Sequence, residues 1–426
     1  MVDLLKKDKQ YVWHPFTQHQ TAGDPLQVVR AEGTLLFDIE GKSYIDANSS
    51  WWVNVHGHGH PHLAEAVNKQ FMELEHVVFA GVTHPKAVEL SERITKVLPE
   101  NFQRVFFSDN GSTSTEVALK MSFQYWFNKD EDRKRVLAIE GAYHGDTFGA
   151  MSVGERDMFN RPFEPFFFDV DYLPFPESDK EAEILTKAEK LLSTKTFASL
   201  ILEPLVQGAS GMRMYSSNFL DQLSAIAKKY ETIVIFDEVM TGFGRTGKMF
   251  AMDHCEVKPD IVCLSKGLTG GTMALGLTIA SEKMYQSFLS DEIARGFLHG
   301  HSFTANPLAS AVSCANLDLF EKPSTKEAIN TIVNWNQTFA DELKQWQSVE
   351  NVRQQGTILA FSVKNEAGNT YFSSIRDRAY KFFLNNGVLL RPLGNTIFIN
   401  PPYCITEEEY IELKSVILGF LRSLEE

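Results

Sequence analysis

From residue 63 onward, apolar positions follow two alternating spacings. In LAEAVNKQFMELEHV (63–77) and KAVELSERITKVL (86–98) they recur every three to four residues, the signature of helices with one buried face. STSTEVALKMSFQYWF (112–127) and residues 217–230 predict further helices, the former opened by Ser and Thr as a helix start should be. Between them lie short apolar runs rich in β-branched residues. These are RVFFS (104–108), RVLAIE (135–140), ASLILE (198–203), TIVIFD (232–237), DIVCLS (260–265) and LGLTIA (275–280). Strands separated by helices predict an α/β architecture with a mostly parallel sheet. The first 50 residues are turn-rich, with strand candidates at LLFDIEG and SYIDA. After a boundary near 315–330, a polar helix (326–347) leads to TILAFSV, a helix, GVLLRP, TIFINPP and a final helix (406–423), which together read as a second unit.

Length and composition narrow the classes of function. A chain of 426 residues with 43% apolar content can bury one large core and a smaller one. The formal net charge is −14 and no dense Lys/Arg run is present, which argues against nucleic acid as a partner. The four cysteines, Cys255, Cys263, Cys314 and Cys404, have no C-x-x-C spacing and form no disulfide framework. With no cleavable leader pattern and no window of about 20 apolar residues, the expectation is a cytoplasmic protein without a membrane span.

IVIFDEVMTGFGRTGKMF (233–250) contains two nucleotide-binding patterns, G-x-G-x-x-G at Gly242, Gly244 and Gly247, and G-x-x-x-x-G-K over 242–248. Neither has its context. Met249 stands where a P-loop needs Ser or Thr for Mg²⁺, residues 237–241 separate the strand from the first glycine, and the following segment is a poor helix. A mobile Gly-rich loop describes the stretch better. The more informative residues precede it. Ligands of open α/β sheets bind beyond the carboxyl ends of the strands. Glu203 ends one apolar strand, Asp237 with Glu238 ends another, and Lys266 follows a third. Singly, each could merely mark where a strand leaves the core. Together they bring two carboxylates and an amine to one sheet edge.

Pyridoxal 5′-phosphate (PLP) requires that combination. An amine condenses with its aldehyde as a Schiff base, a carboxylate stabilises its protonated ring nitrogen, and a helix start offers N–H donors to its phosphate. Gly111 and Ser112 precede a helix after RVFFS, and Tyr143 in GAYHGD offers an aromatic face. HGHGHPH (56–62) reads as a flexible loop rather than a metal site, and DEDRKR (130–135) as a solvated turn. The aromatic run RPFEPFFFDVDYLPFP (161–176) reads as packing over the active-site edge or a subunit interface.

EPLVQGASGMRMY, IVIFDEVMTGFGRTGKMFA, LSKGLTGGTMALG and HSFTANPLA resemble the class III PLP-dependent aminotransferases over roughly residues 10–420. WHPFTQ, SSWWVNVHGHGHP, YHGDTFGAMSVGE and LTGGTMALG resemble those members that aminate 8-amino-7-oxononanoate in biotin biosynthesis with S-adenosylmethionine as donor. The resemblance implies fold type I, with a mostly parallel seven-stranded sheet in a large domain (51–320) and a small α/β domain from both chain ends (1–50 and 321–426). It also implies a homodimer with shared active sites. By that likeness Lys266 is the Schiff-base lysine and proton shuttle, Asp237 pairs with the pyridine nitrogen, and Glu203 supports the Asp237 region by hydrogen bonding. Tyr143 stacks on the ring, Gly111 and Ser112 hold the phosphate, and Ser302 reaches it from the partner subunit. Trp51, Trp52, Tyr143 and Gly300 line the substrate pocket, and Arg391 meets the substrate carboxylate, as an apolar tunnel with one cationic end should for a nonanoate. Some members have Tyr where this chain has Phe16, so a hydroxyl is missing there. Arg245, within the Gly-rich loop, approaches substrate in the same reading. The competing functions are another ω-aminotransferase, of the ornithine, γ-aminobutyrate or β-alanine type, and a non-catalytic dimeric scaffold.

Overall fold

A computed structural model describes residues 4–364 and 374–425. Residues 1–3, 365–373 and 426, which belong to the expected chain-end parts, lie outside the described residues. A seven-stranded sheet dominates, with strands β1 (Arg104–Ser108), β2 (Arg135–Ile139), β3 (Val170–Leu173), β4 (Phe197–Leu202), β5 (Ile233–Asp237), β6 (Ile261–Leu264) and β7 (Gly276–Ala280). Their spatial order is β1-β7-β6-β5-β4-β2-β3. Only β7 runs antiparallel to its neighbours, so the sheet is mixed and mostly parallel, as the strand–helix alternation predicts.

The sequence of β5 explains its central place. All five residues of IVIFD are buried, because helices cover both faces. Side chains alternate between faces with period two. Ile233 and Ile235 pack with Ala118, Leu119 and Ile261 under the helix Gly111–Asn128, whereas Val234 and Phe236 join Leu90, Phe219 and Leu223 on the other side. Burying one such side chain contributes about 1.5–3 kcal/mol, so the uninterrupted apolar runs of β4 to β7 select the middle of the sheet. β3 lies inside the aromatic run 161–176 and pairs with β2 at the sheet edge. Part of that run is therefore sheet, which the reading of it as covering surface did not anticipate. Its four residues VDYL are mostly half-buried, and the surrounding Phe and Pro hide their alternation.

The chain ends meet. Strands Val28–Glu32, Leu35–Asp38 and Ser43–Asp46 form a sheet with Val388–Leu389, which runs parallel to Ser43–Asp46. A second core joins Ile45, Ala47 and Val55 to Phe339, Phe361, Phe383, Ile397 and Leu413. Strands Val349–Gln355, Ile358–Val363 and Thr396–Ile399 form a further antiparallel sheet. Among the described residues no helix is long and apolar enough to cross a membrane.

Candidate active site

The carboxyl ends of β1, β2, β4, β5 and β6 open onto one cavity of about 620 Å³. Its walls include Trp52, Gly111, Ser112, Tyr143, Glu203, Asp237 and Lys266, so most of the residues expected from sequence converge there.

Asp237 is buried at the tip of β5. Its Oδ1 accepts the Val239 N–H at 3.0 Å, and its Oδ2 accepts from Nδ1 of the buried His144 at 2.7 Å. The other ring nitrogen of His144, Nε2, is buried with no partner among the described residues. Sequence reading missed His144; the available signal was its place directly after Tyr143 in the turn that follows β2. Glu203 reaches the Asp237 region indirectly. Its two oxygens accept the backbone N–H groups of Tyr143 (3.0 Å) and Gly208 (2.9 Å), so it braces the turn carrying Tyr143 and His144 and makes no direct bond to Asp237. Burial pushes its carboxyl up to about 7, with His144 opposing and Asp237 adding to the rise.

Lys266 follows β6 with φ +46°, in the left-handed region that non-glycine residues rarely occupy. Its amine lies 4.6 Å from the centroid of the Trp52 ring. Burial pulls its pKa down to about 8 against the opposing pull of Asp237 and Glu203, which leaves an appreciable fraction neutral and nucleophilic near neutrality. Tyr143 donates its hydroxyl to Asp146 at 3.0 Å, and burial with that carboxylate raises the phenol well above its usual value.

An anion cradle sits across the cavity. Asn110 caps the helix Gly111–Asn128, accepting the Thr113 N–H, while Thr113 Oγ1 accepts the Asn110 N–H. The helix start at Gly111 and Ser112 faces the cavity with the positive end of its dipole. Ser112 Oγ accepts the Thr147 N–H at 3.0 Å and lies 2.8 Å from Thr147 Oγ1, which joins this helix start to the loop after Tyr143.

The remaining predicted residues stand apart. Trp51 is half exposed and outside the cavity wall, with the Arg391 guanidinium 5.2 Å from its ring centroid and Phe16 at 5.6 Å. Gly300 and Ser302 lie on an exposed segment, also outside the wall of this chain's cavity. The Gly-rich loop is packed down rather than free. Glu238 turns away from the cavity, and its carboxylate accepts from Ala251 N–H (2.7 Å), Met252 N–H (2.7 Å) and Thr241 Oγ1 (3.0 Å). Arg245 is fully buried and donates to Asn400 Oδ1 and the Pro401 carbonyl, each at 3.0 Å; it ties the loop to the C-terminal unit and does not line the cavity. The histidines of 56–62 serve packing and local pairing: His58 meets Asp46 at 2.9 Å, His62 meets Asp318 at 2.8 Å, and His56 packs on Phe320.

Comparison with known proteins bears on the family and the fold. A family model described as aminotransferase class-III matches residues 17–419. An adenosylmethionine-8-amino-7-oxononanoate aminotransferase of Synechococcus elongatus is 45% identical over 419 residues, 96% of this chain and 98% of that protein. The crystal structure of an enzyme of the same description from Methanocaldococcus jannaschii superposes with a TM-score of 0.94 at 33% identity, covering 99% of this chain and 98% of that one. An amine transaminase from an uncultivated Pseudomonas species, solved in its PLP-bound form, gives a TM-score of 0.90 at 27% identity, covering 97% and 98%.

Proposed function

Because the chain belongs to the class III aminotransferases, we propose that it moves an amino group from S-adenosylmethionine to 8-amino-7-oxononanoate. The product is 7,8-diaminononanoate, for biotin biosynthesis. One observation carries the choice of acceptor. Lys266 lies over Trp52 inside the cavity and Arg391 over Trp51 outside its wall, so an amine and a guanidinium flank a pair of consecutive tryptophans. A long apolar keto acid with a terminal carboxylate has that shape and charge.

The residues fit PLP. A Cβ at Gly111 would stand 2.6 Å from Val239 Cγ1, and one at Gly145 would overlap Ser112, so bare backbone is required where a phosphate would approach the helix start. The same cavity holds the buried Asp237 carboxylate, the Lys266 amine and the Tyr143 ring. In our reading Gly111 and Ser112 hold the phosphate, Asp237 faces the ring nitrogen, Tyr143 covers the ring and Lys266 holds the aldehyde end. When bound, PLP supplies an electron sink for the carbon that loses its proton. The protein supplies the rest. Lys266 Nζ takes that proton and returns it one position away, which its lowered pKa permits. His144 donates to Asp237 and keeps the carboxylate aimed, and Glu203 holds the turn that carries His144. Arg391 binds the acceptor carboxylate, and Trp51 and Trp52 exclude water along its methylene chain.

The working unit in this reading is a cytoplasmic homodimer, in which Gly300 and Ser302 of each protomer complete the other's site. Exposed apolar side chains around that segment, Ile293, Leu298 and Phe303, support a protein interface there. The test offers purified protein 8-amino-7-oxononanoate as acceptor with S-adenosylmethionine or lysine as alternative amine source, and in separate reactions ornithine, γ-aminobutyrate or β-alanine as amine source with 2-oxoglutarate as acceptor. Formation of 7,8-diaminononanoate with S-adenosylmethionine is expected. Amine transfer confined to the other substrates would refute the acceptor, and transfer with lysine alone would refute the donor.

A further inference from the structure

Both tryptophans of the site stand on one strained turn. Ser49 (φ +49°), Ser50 (φ +58°, ψ −95°) and Trp52 (φ +65°) all have left-handed backbone angles without being glycine. Such conformations are costly and persist only where the surroundings over-determine them. The result is that adjacent indoles diverge, Trp52 inward to Lys266 and Trp51 outward to Arg391.

The over-determining group is a carboxylate that no role in the reaction accounts for. Asp46, at the end of strand Ser43–Asp46, is wholly buried. Its Oδ1 accepts the Ser50 N–H at 2.8 Å and the Asn48 N–H at 3.4 Å. Its Oδ2 accepts Ser50 Oγ at 3.0 Å and His58 Nε2 at 2.9 Å. The turn is also tied to the far wall. Asn48 Oδ1 accepts the Arg391 N–H, Asn48 Nδ2 donates to the Phe398 carbonyl, both at 2.9 Å, and Ser49 Oγ donates to the Asn400 carbonyl at 2.8 Å. The Phe398 ring in turn meets Trp52 edge-on at 6.1 Å. The turn that Asp46 pins thus links the lysine end to the arginine end.

We propose that Asp46 is a positioning residue that sets the reach of the site. By holding the Ser49–Trp52 turn in its strained form it fixes the separation of Lys266 from Arg391, and with it the length of acceptor that spans them. The proposal deepens the acceptor reading above and rests on it. Its test is chosen so that the two can fail separately. Asp46→Ala removes the carboxylate that accepts from Asn48, Ser50 and His58, whereas Asp46→Asn keeps the Oδ1 bonds and lets the hydroxyl and imidazole reorient.

Two measurements are made on each variant. Crystal structures of the cofactor-free proteins should show the turn relaxed to negative φ in Asp46→Ala, with the indoles displaced, and retained in Asp46→Asn. Kinetically, the ratio of kcat/KM for 8-amino-7-oxononanoate to that for the homologue shorter by two methylenes, 6-amino-5-oxoheptanoate, should fall at least tenfold in Asp46→Ala and recover in Asp46→Asn. A carboxylate that only stabilised the fold would lower both acceptors equally. If Asp46→Ala does not fold, His58→Leu, which removes one donor to Oδ2, should lower the same ratio at least threefold. An unchanged turn, or an unchanged ratio in a protein that does use 8-amino-7-oxononanoate, overturns the role of Asp46. If the unaltered protein does not use that acceptor, the proposed function falls instead, and the crystallographic arm alone decides Asp46.

Discussion

Consider His144→Ala. The hydrogen-bond partner of the imidazole among the described residues is Asp237, at 2.7 Å, and both side chains are buried. Removing it leaves Asp237 with the Val239 N–H as its remaining donor. A hydrogen bond to a charged group is worth about 1.5–3 kcal/mol. In the proposed reading that bond aims Asp237, and its loss raises the barrier by about that amount, which is roughly 10- to 150-fold in rate. In the proposed reading Asp237 faces the cofactor and neither substrate, so both half-reactions should slow by the same factor. The assay follows cofactor absorbance in single turnovers, once with the amino donor and once with the acceptor, on protein saturated with PLP. Rates within threefold of the unaltered protein in both halves would refute the reasoning. So would a loss confined to one half-reaction, since that would make His144 a substrate contact.

Arg391→Ala should give the opposite partition: a loss of roughly 10- to 150-fold in kcat/KM for the keto acid, with the donor half-reaction within threefold; equal losses in both would remove Arg391 from the carboxylate end. In cofactor-free protein, Lys266 should behave as an amine of pKa about 8. At pH 7 about one molecule in ten then has a neutral amine, against about three in ten thousand for an ordinary lysine. Competitive reductive methylation with peptide mapping should mark Lys266 first at pH 7, with the preference fading as pH rises through 8 to 10.5 and other lysines deprotonate; a rate equal to that of exposed lysines at pH 7 would contradict this. Glu238→Ala orphans the buried N–H groups of Ala251 and Met252, at about 1–3 kcal/mol each. Urea unfolding should therefore lose about 2–6 kcal/mol, and a loss under about 0.5 kcal/mol, the size of an ordinary surface change, would mean the loop does not depend on that carboxylate.

The parts of the fold that were legible in the sequence are those whose signal is local. β4 to β7 are buried throughout and largely apolar because both faces are covered, and no half-buried alternation competes with that pattern. β3 and Val349–Gln355 were not legible. The first is short and set among Phe and Pro; the second, VENVRQQ, is polar with only its first residue buried, and pairing with Ile358–Val363 overrides its weak propensity. The strand-end charges Glu203, Asp237 and Lys266 were legible for the same local reason. A charged residue directly after an uninterrupted apolar strand can only lie at the sheet edge, and parallel strands share that edge.

What stayed hidden are pairings between residues far apart in the chain. His144 sits 93 positions from Asp237, and nothing in its own neighbourhood separates it from any histidine in a turn. Arg391 acquires meaning through Trp51, and Asn48 through the Arg391 backbone, 343 positions away. Asp46 is the extreme case. Its sequence context, a short strand followed by SSWW, reads as an ordinary turn, and its importance lies in four acceptor contacts that exist only once the turn has closed over it. The Gly-rich loop errs in the other direction: local composition suggested freedom, and a buried carboxylate and a buried guanidinium remove it. Local composition therefore identifies which groups can react, because a reactive amine or carboxylate must be of a particular type at a strand end. The groups that aim them can be of several types, at any position that folding brings near, and only the three-dimensional contacts single them out.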